Sequence, residues 1–150
     1  YNLNPFNKDF LTYVNTDLFT IVLINARSVL NKMSDLRTTV LITKPSAILV
    51  TETWCSSSVL DADINIDGYS LHRTSRDNQR GGGCIIYIHS HALVTKVEEL
   101  ILSTVADSLF LMVCGTNYKM LVGCVQSTLL TSRNRHSTMQ PICTSLNLRC

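Results

Sequence analysis

Two short, unbroken apolar runs, FTIVLI at residues 19–24 and AILV at residues 47–50, stand on either side of a segment long enough for a helix. Runs of this length rich in β-branched residues fit strands buried on both faces, as in a sheet covered by other layers. Between them Val29, Met33, Leu36 and Val40 recur at spacings of four, three and four, which is one face of a helix. Ser28 is the expected N-cap. Lys44 precedes Pro45 and is biased away from helical dihedrals, so the helix should stop before it. Strand, helix and strand at this spacing imply a right-handed crossover between two parallel strands, and such sheets bind ligands beyond the carboxyl ends of their strands. Asn25 and Glu52 fall there. The pattern predicts an amide and a carboxylate at the ends of neighbouring strands, in one site.

After Trp54 the texture changes to a polar loop, CSSSVLDADINIDG, followed by strand-like runs at 69–72, 84–88, 109–114 and 120–125. Gly115-Thr116-Asn117 reads as the bend of a hairpin between the last two. Residues 1–18 are polar, contain Pro5 and carry no period, so a loose lead-in is expected there. From Gln126 onward the chain is crowded with Ser and Thr and has no Asp or Glu. With neither strand alternation nor a helical face, residues 126–150 are expected to be a disordered tail. Residues 19–125 remain as the folded part, of α+β class.

The chain has 150 residues, 45% of them hydrophobic, enough for one compact core. A formal net charge of +2 is too mild to argue nucleic-acid binding, which calls for a strongly basic surface. The six cysteines form no CxxC pair and lie mostly in apolar runs, so free thiols in a reducing compartment are expected. No apolar run reaches the length of a membrane span, and YNLNPFNKDF lacks the basic-then-apolar order of a signal peptide. The expected location is therefore nuclear or cytoplasmic. A chain that begins at Tyr1 rather than methionine is expected to have sequence upstream.

Several residues can carry chemistry, each with a plainer alternative. Glu52 at a strand end suits a magnesium ligand, since Mg2+ takes one or two carboxylates and keeps several waters, but also a merely solvated carboxylate. Asn25 can orient a phosphate or can simply terminate a strand. Arg73, Arg76 and Arg80 cluster where they can grip phosphates, or can line a solvated turn. Gly81-Gly82-Gly83 lacks the Lys and Ser or Thr of a P-loop and leads into a strand, so it is read as a close-packing approach to that strand. His89 and His91 share one side of a strand with no third ligand in sight. Trp54 either packs under the Glu52 site or fills the core; the core is the reading adopted.

Taken in order, INARSVLNKMSDLR, AILVTETW, INIDGYSLHRTSRDNQRGGGCIIYI and LMVCGTNYKMLVGCV resemble the N-terminal part of the endonuclease domain of a non-LTR retrotransposon polyprotein. That domain belongs to the endonuclease/exonuclease/phosphatase superfamily, with apurinic endonucleases and pancreatic-type DNases. The similarity runs from about Phe19 to Val125 and keeps one order throughout. It implies a truncated four-layer α/β/β/α sandwich. It also implies Mg2+ as cofactor, DNA as partner, and nicking of a DNA phosphodiester to prime reverse transcription. By this resemblance Asn25 helps to organise the phosphate and metal site, and Glu52 is the metal-binding glutamate. The metal would polarise the phosphoryl oxygen and stabilise the leaving oxygen.

The resemblance stops at Gln126, where the family has a tyrosine. The Asp-x-Asn and Ser-Asp-His segments that should follow are absent: the last carboxylate side chain is Asp107, and His136 follows Arg135. A frameshift, a spliced-in exon or a truncation would each leave this pattern. Without the positioned base and the transition-state donors, rate should fall by orders of magnitude, since acid–base catalysis alone supplies roughly 10² to 10⁴-fold. The expectation is a nuclease by descent that is inactive as this chain, with a non-catalytic DNA-binding or inert fragment as the alternative. Missing strands should also leave exposed edges and poor solubility.

Overall fold

The computed structural model describes residues 11–16, 19–75, 77, 81–98, 106–127 and 146–147. Among them are two β-sheets and one α-helix, a mixed α+β arrangement. Strand β2 (Phe19–Asn25) and strand β3 (Ala47–Thr51) run parallel, in a register that pairs Asn25 with Thr51. The helix α1 (Met33–Thr43) joins them, entered through a 3-10 turn at Leu30–Lys32. Val29, Met33, Leu36 and Val40 are all buried, as their spacing requires. Lys44 closes the helix in a left-handed conformation, its N–H bonded to the Val40 carbonyl at 2.8 Å, and Pro45 prevents any continuation.

Ser28 does not cap this helix. Its φ is +82°, its hydroxyl accepts from the Asn31 amide at 3.3 Å, and no side chain caps either turn. The reason lies in the backbone before it. The N–H groups of Ala26, Ser28 and Val29 bond to the carbonyls of Thr51, Glu52 and Thr53 at 2.9, 2.9 and 3.0 Å, so the chain stays fastened to β3 and turns helical late.

Strand β4 (Tyr69–Arg73) and strand β5 (Cys84–His89) complete the first sheet, with β5 antiparallel to both β3 and β4. Strand β1 (Leu11–Thr16) pairs antiparallel with β2, giving the order β1-β2-β3-β5-β4. That pairing corrects the expectation of a loose lead-in across residues 1–18: LTYVNT carries the β-branched and aromatic residues of a strand and finds an open sheet edge two residues before β2. The remainder of the lead-in lies outside the described residues.

The second sheet is antiparallel, in the order β6-β7-β8-β9. Its centre is the hairpin of β7 (Ala106–Cys114) and β8 (Lys119–Ser127), closed by a Gly115 N–H bond to the Tyr118 carbonyl at 2.9 Å. Strand β6 (Leu93–Lys96) forms one edge. At the other, the two residues of β9 (Leu146–Asn147) pair with Leu121 and Met120. The expected tail is thus corrected at two places: Gln126 and Ser127 belong to β8, and Leu146–Asn147 add to its edge. Residues 128–145 and 148–150 lie outside the described residues.

Alternation divides the first sheet between two cores. Val22, Ile24, Ile48, Val50, Ile85 and Tyr87 face α1, while Ile21, Leu23, Leu49, Cys84, Ile86 and Ile88 meet Leu109, Leu111, Val113, Val122 and Cys124 of the second sheet. The central strands are apolar throughout because both their faces are covered. Each fully buried aliphatic side chain contributes about 1.5–3 kcal/mol. Among the described residues no helix is long and apolar enough to cross a membrane. Cys55, Cys84, Cys114 and Cys124 are free thiols.

Candidate functional site

The carboxyl ends of β2 and β3 carry the residues that the sequence singled out. Beyond Thr51 the chain leaves the strand through a tight bend in which Glu52 has φ +54° and Trp54 φ +55°. Left-handed dihedrals in non-glycine residues cost roughly 1–3 kcal/mol each and persist where neighbours over-determine them. Here the neighbours are visible. The Trp54 N–H bonds to the Gly82 carbonyl at 2.9 Å, and the Glu52 N–H bonds to the side-chain oxygen of Gln126 at 3.0 Å.

The bend turns the Glu52 side chain inward, leaving the residue 8% exposed. Three donors converge on its carboxylate. Oε1 accepts from the side-chain NH2 of Gln126, and Oε2 accepts from the Trp54 indole N–H and, at 3.3 Å, from the Gly82 N–H. Trp54 is 42% exposed and does not fill the core, a correction to the reading adopted for it: its left-handed backbone lays the indole edge on the carboxylate instead. Gln126, only 2% exposed, holds Glu52 twice, accepting from its backbone and donating to its side chain.

The triglycine loop supplies the opposite wall. Gly81, Gly82 and Gly83 have φ of +91°, +81° and +84°, dihedrals that L side chains rarely adopt. A Cβ on Gly83 would also lie 2.5 Å from the Thr53 hydroxyl oxygen, which is buried. The loop packs closely, as its sequence suggested, and its successive N–H groups are taken by the protein's own acids. Gly82 donates to Glu52, and Gly83 donates to Asp107 Oδ2 at 2.7 Å.

Asp107 and Gln126 face each other in the β7–β8 register. Sequence reasoning missed both as site residues. A signal was present in the alternation: Leu109, Leu111 and Val113 point into the inter-sheet core, as do Met120, Val122 and Cys124. Continuing each row by one strand period puts Asp107 and Gln126 on the same inward side.

Of the remaining candidates, Asn25 ends β2 beside Thr51, as expected, and is half-buried. Arg73 faces the 55–61 loop: its Nε lies 3.0 Å from Asp61 Oδ1, and Nη2 donates to the Val59 carbonyl at 2.8 Å. Asp77, accepting from the Ser57 N–H at 2.7 Å, ties the same loop, and that bond holds its carboxyl below the usual range. Arg76 and Arg80 lie outside the described residues. Cys55 is buried beside Arg73, and desolvation raises its thiol above the usual value. His89 and His91 stack at 4.5 Å, with Tyr69 edge-on to His89 at 5.2 Å. They sit at the far end of β5, since Cys84 pairs with Thr51 and Ile88 with Ala47.

The donor set tests the expected cofactor. Mg2+ requires oxygen acceptors around it. The groups directed at Glu52 are three N–H donors, which complement a negative oxygen and repel a cation. Among the described residues no three His, Cys, Asp or Glu side chains group as a metal site. Arranged in this way, the residues do not fit Mg2+. What they form is a buried Glu52 side chain whose two oxygens are held in a fixed place by three neutral N–H donors.

The fold and site define a mixed α+β, two-sheet protein with a cradled carboxylate at the carboxyl end of a parallel strand pair. No protein-family model matches the chain, and no curated protein matches it.

Proposed function

We propose that the chain is the N-terminal part of a non-LTR retrotransposon endonuclease domain and is catalytically silent by itself. The observation that carries this reading is the adjacency of Asn25 and Glu52 at the carboxyl ends of parallel strands joined by one helix, in the order the motifs require. The reading implies a four-layer α/β/β/α sandwich, and the stack of helix, sheet and sheet supports it with three of those layers. DNA as the ancestral partner, Mg2+ as its cofactor and a nuclear or cytoplasmic location belong to the same proposal.

Silence follows from two features of this chain. No carboxylate side chain follows Asp107, so the later acid–base groups of the family have no counterpart. The Glu52 oxygens, meanwhile, are occupied by internal donors. Relaxation of supercoiled plasmid by the purified chain with magnesium tests this, beside Glu52→Ala and an EDTA control. The expected result is background nicking in all three. Magnesium-dependent nicking lost in Glu52→Ala would overturn the proposed silence.

Descent is tested separately by mixing the chain with the C-terminal half of a related endonuclease domain. Nicking gained on mixing and lost in Glu52→Ala supports the family reading; none from two folded halves counts against it. Non-catalytic DNA binding through the arginine cluster is the second reading; of that cluster Arg73 lies among the described residues, where Asp61 and the Val59 carbonyl engage it.

A further inference from the structure

The geometry points to Gln126 as the residue that decides what Glu52 binds. Its side-chain amide holds the carboxylate as an internal acceptor, and exchanging its NH2 for an oxygen turns the pair into a site for a hard multivalent cation. The inference rests on the reading of Glu52 as the carboxylate of a former metal site, and it concerns why this chain's version rejects a metal.

Four observations lead to it. Gln126 lies on the inward row of β8, 2% exposed, so its amide has no solvent to turn towards. Its oxygen is fixed as the acceptor for the Glu52 N–H at 3.0 Å, which leaves the NH2 facing Glu52 Oε1. On the other carboxylate oxygen, Trp54 and Gly82 already donate, so Oε1 is the oxygen whose partner is set by residue 126. Asp107, the register partner of Gln126, adds a second carboxylate on the same side of the hairpin.

An amide and a carboxylate have nearly the same shape, so Gln126→Glu keeps the acceptor for the Glu52 N–H while replacing a donor by an anionic oxygen. Two carboxylates facing each other in a desolvated site repel unless a proton or a cation lies between them. Mg2+, Ca2+ and lanthanide ions all take carboxylate oxygens. In the natural chain the positive end of an N–H dipole occupies that position.

Trp54 makes the test direct, because it is the only tryptophan in the chain and its indole N–H touches Glu52. Terbium added to the full chain should emit by energy transfer from Trp54 only when it binds near Glu52. Gln126→Glu should bind Tb3+ at least about tenfold more tightly than the natural chain, a change worth about 1.4 kcal/mol. The double variant Gln126→Glu with Glu52→Gln should lose that gain. Thermal unfolding of Gln126→Glu should rise on adding Ca2+, whereas the natural chain should be indifferent.

Gln126→Ala, which removes the NH2 without adding charge, provides a second test should Gln126→Glu not fold. It should bind Tb3+ more tightly than the natural chain and less tightly than Gln126→Glu. If the natural chain binds Tb3+ through Glu52 as tightly as both variants, Gln126 is not the determinant, although Glu52 remains a cation ligand. If folded variants bind no Tb3+ at all, both the inference and the reading of Glu52 as a former metal ligand are overturned.

Discussion

At the Pro45 end of the first sheet, bonds within that sheet do the fastening, whereas at the Glu52 end side chains of the second sheet are added to the backbone bonds. The Ser46 N–H bonds to the Thr20 carbonyl at 2.8 Å, the His89 N–H to the Ser46 carbonyl at 3.0 Å, and the Ser90 N–H to the Gly68 carbonyl at 2.9 Å. Side-chain bonds of similar reach join the Tyr69 hydroxyl to the Pro45 carbonyl at 2.6 Å and the Thr20 N–H to the Ser46 hydroxyl oxygen at 3.1 Å, both within the first sheet. At the other end Gln126, Trp54, Asp107 and three glycines with positive φ all converge on one bend. A backbone fastening survives most substitutions, because every residue except proline brings the same donor and acceptor. A side-chain fastening can be lost by a single replacement. The Glu52 end is therefore where the sequence is least free to vary.

The sharpest way to break that contrast is to add one methyl group at each end. Gly83→Ala puts a Cβ 2.5 Å from the buried Thr53 hydroxyl at a φ of +84°, whereas Gly68→Ala, at +83°, meets nothing within 4 Å. Denaturant unfolding should show a loss of about 3 kcal/mol for Gly83→Ala and about 1 kcal/mol for Gly68→Ala. Equal losses would mean that dihedral strain alone governs both sites.

Removing side-chain bonds should give the next largest difference. Gln126→Leu leaves the Glu52 N–H and one carboxylate oxygen without their partner in a buried place, and a loss of about 2–3 kcal/mol is expected in urea titrations. Tyr69→Phe removes a single bond from a half-buried ring and should cost about 1 kcal/mol. The two ends are equivalent if these losses match.

Lowered pH should have the smallest effect. Burial pushes the His72 imidazole below its ordinary value of 6.5, with Ser70 as its hydrogen-bond partner at 3.3 Å. The unfolded chain therefore takes up a proton at a higher pH than the folded chain does. Stability should fall as pH drops through about 6.5, and His72→Gln should flatten that slope in urea midpoints measured on either side. An unchanged slope would remove His72 from the account.

The β2-α1-β3 unit was legible in the sequence because its signals are local: two apolar runs, one helical face and one Lys-Pro stop. The Gly115 bend was legible for the same reason. Strands β1, β6 and β9 were not, since short edge strands such as LVTK lack the apolar density of a strand covered on both faces and owe their state to a neighbour. Ser28 was misjudged because its backbone bonds go to Glu52, a partner that no window around Ser28 contains. The site divides in the same way. Asn25 and Glu52 could be read from strand ends, whereas Gln126 looked like a missing motif. Its role depends on a residue 74 positions earlier, a relation that sequence spacing does not reveal.

That separation of 74 residues also sets an order of events in folding. Helix and hairpin can each form early from nearby residues, but closing so long a loop carries an entropic penalty that is repaid only when the two sheets dock. Until then the bend has only its bonds within the first sheet, and the Glu52 N–H and Oε1 lack Gln126 as their partner. Burial of Glu52 should therefore come late, and slowed amide exchange at Glu52 should mark the moment at which the two sheets have docked.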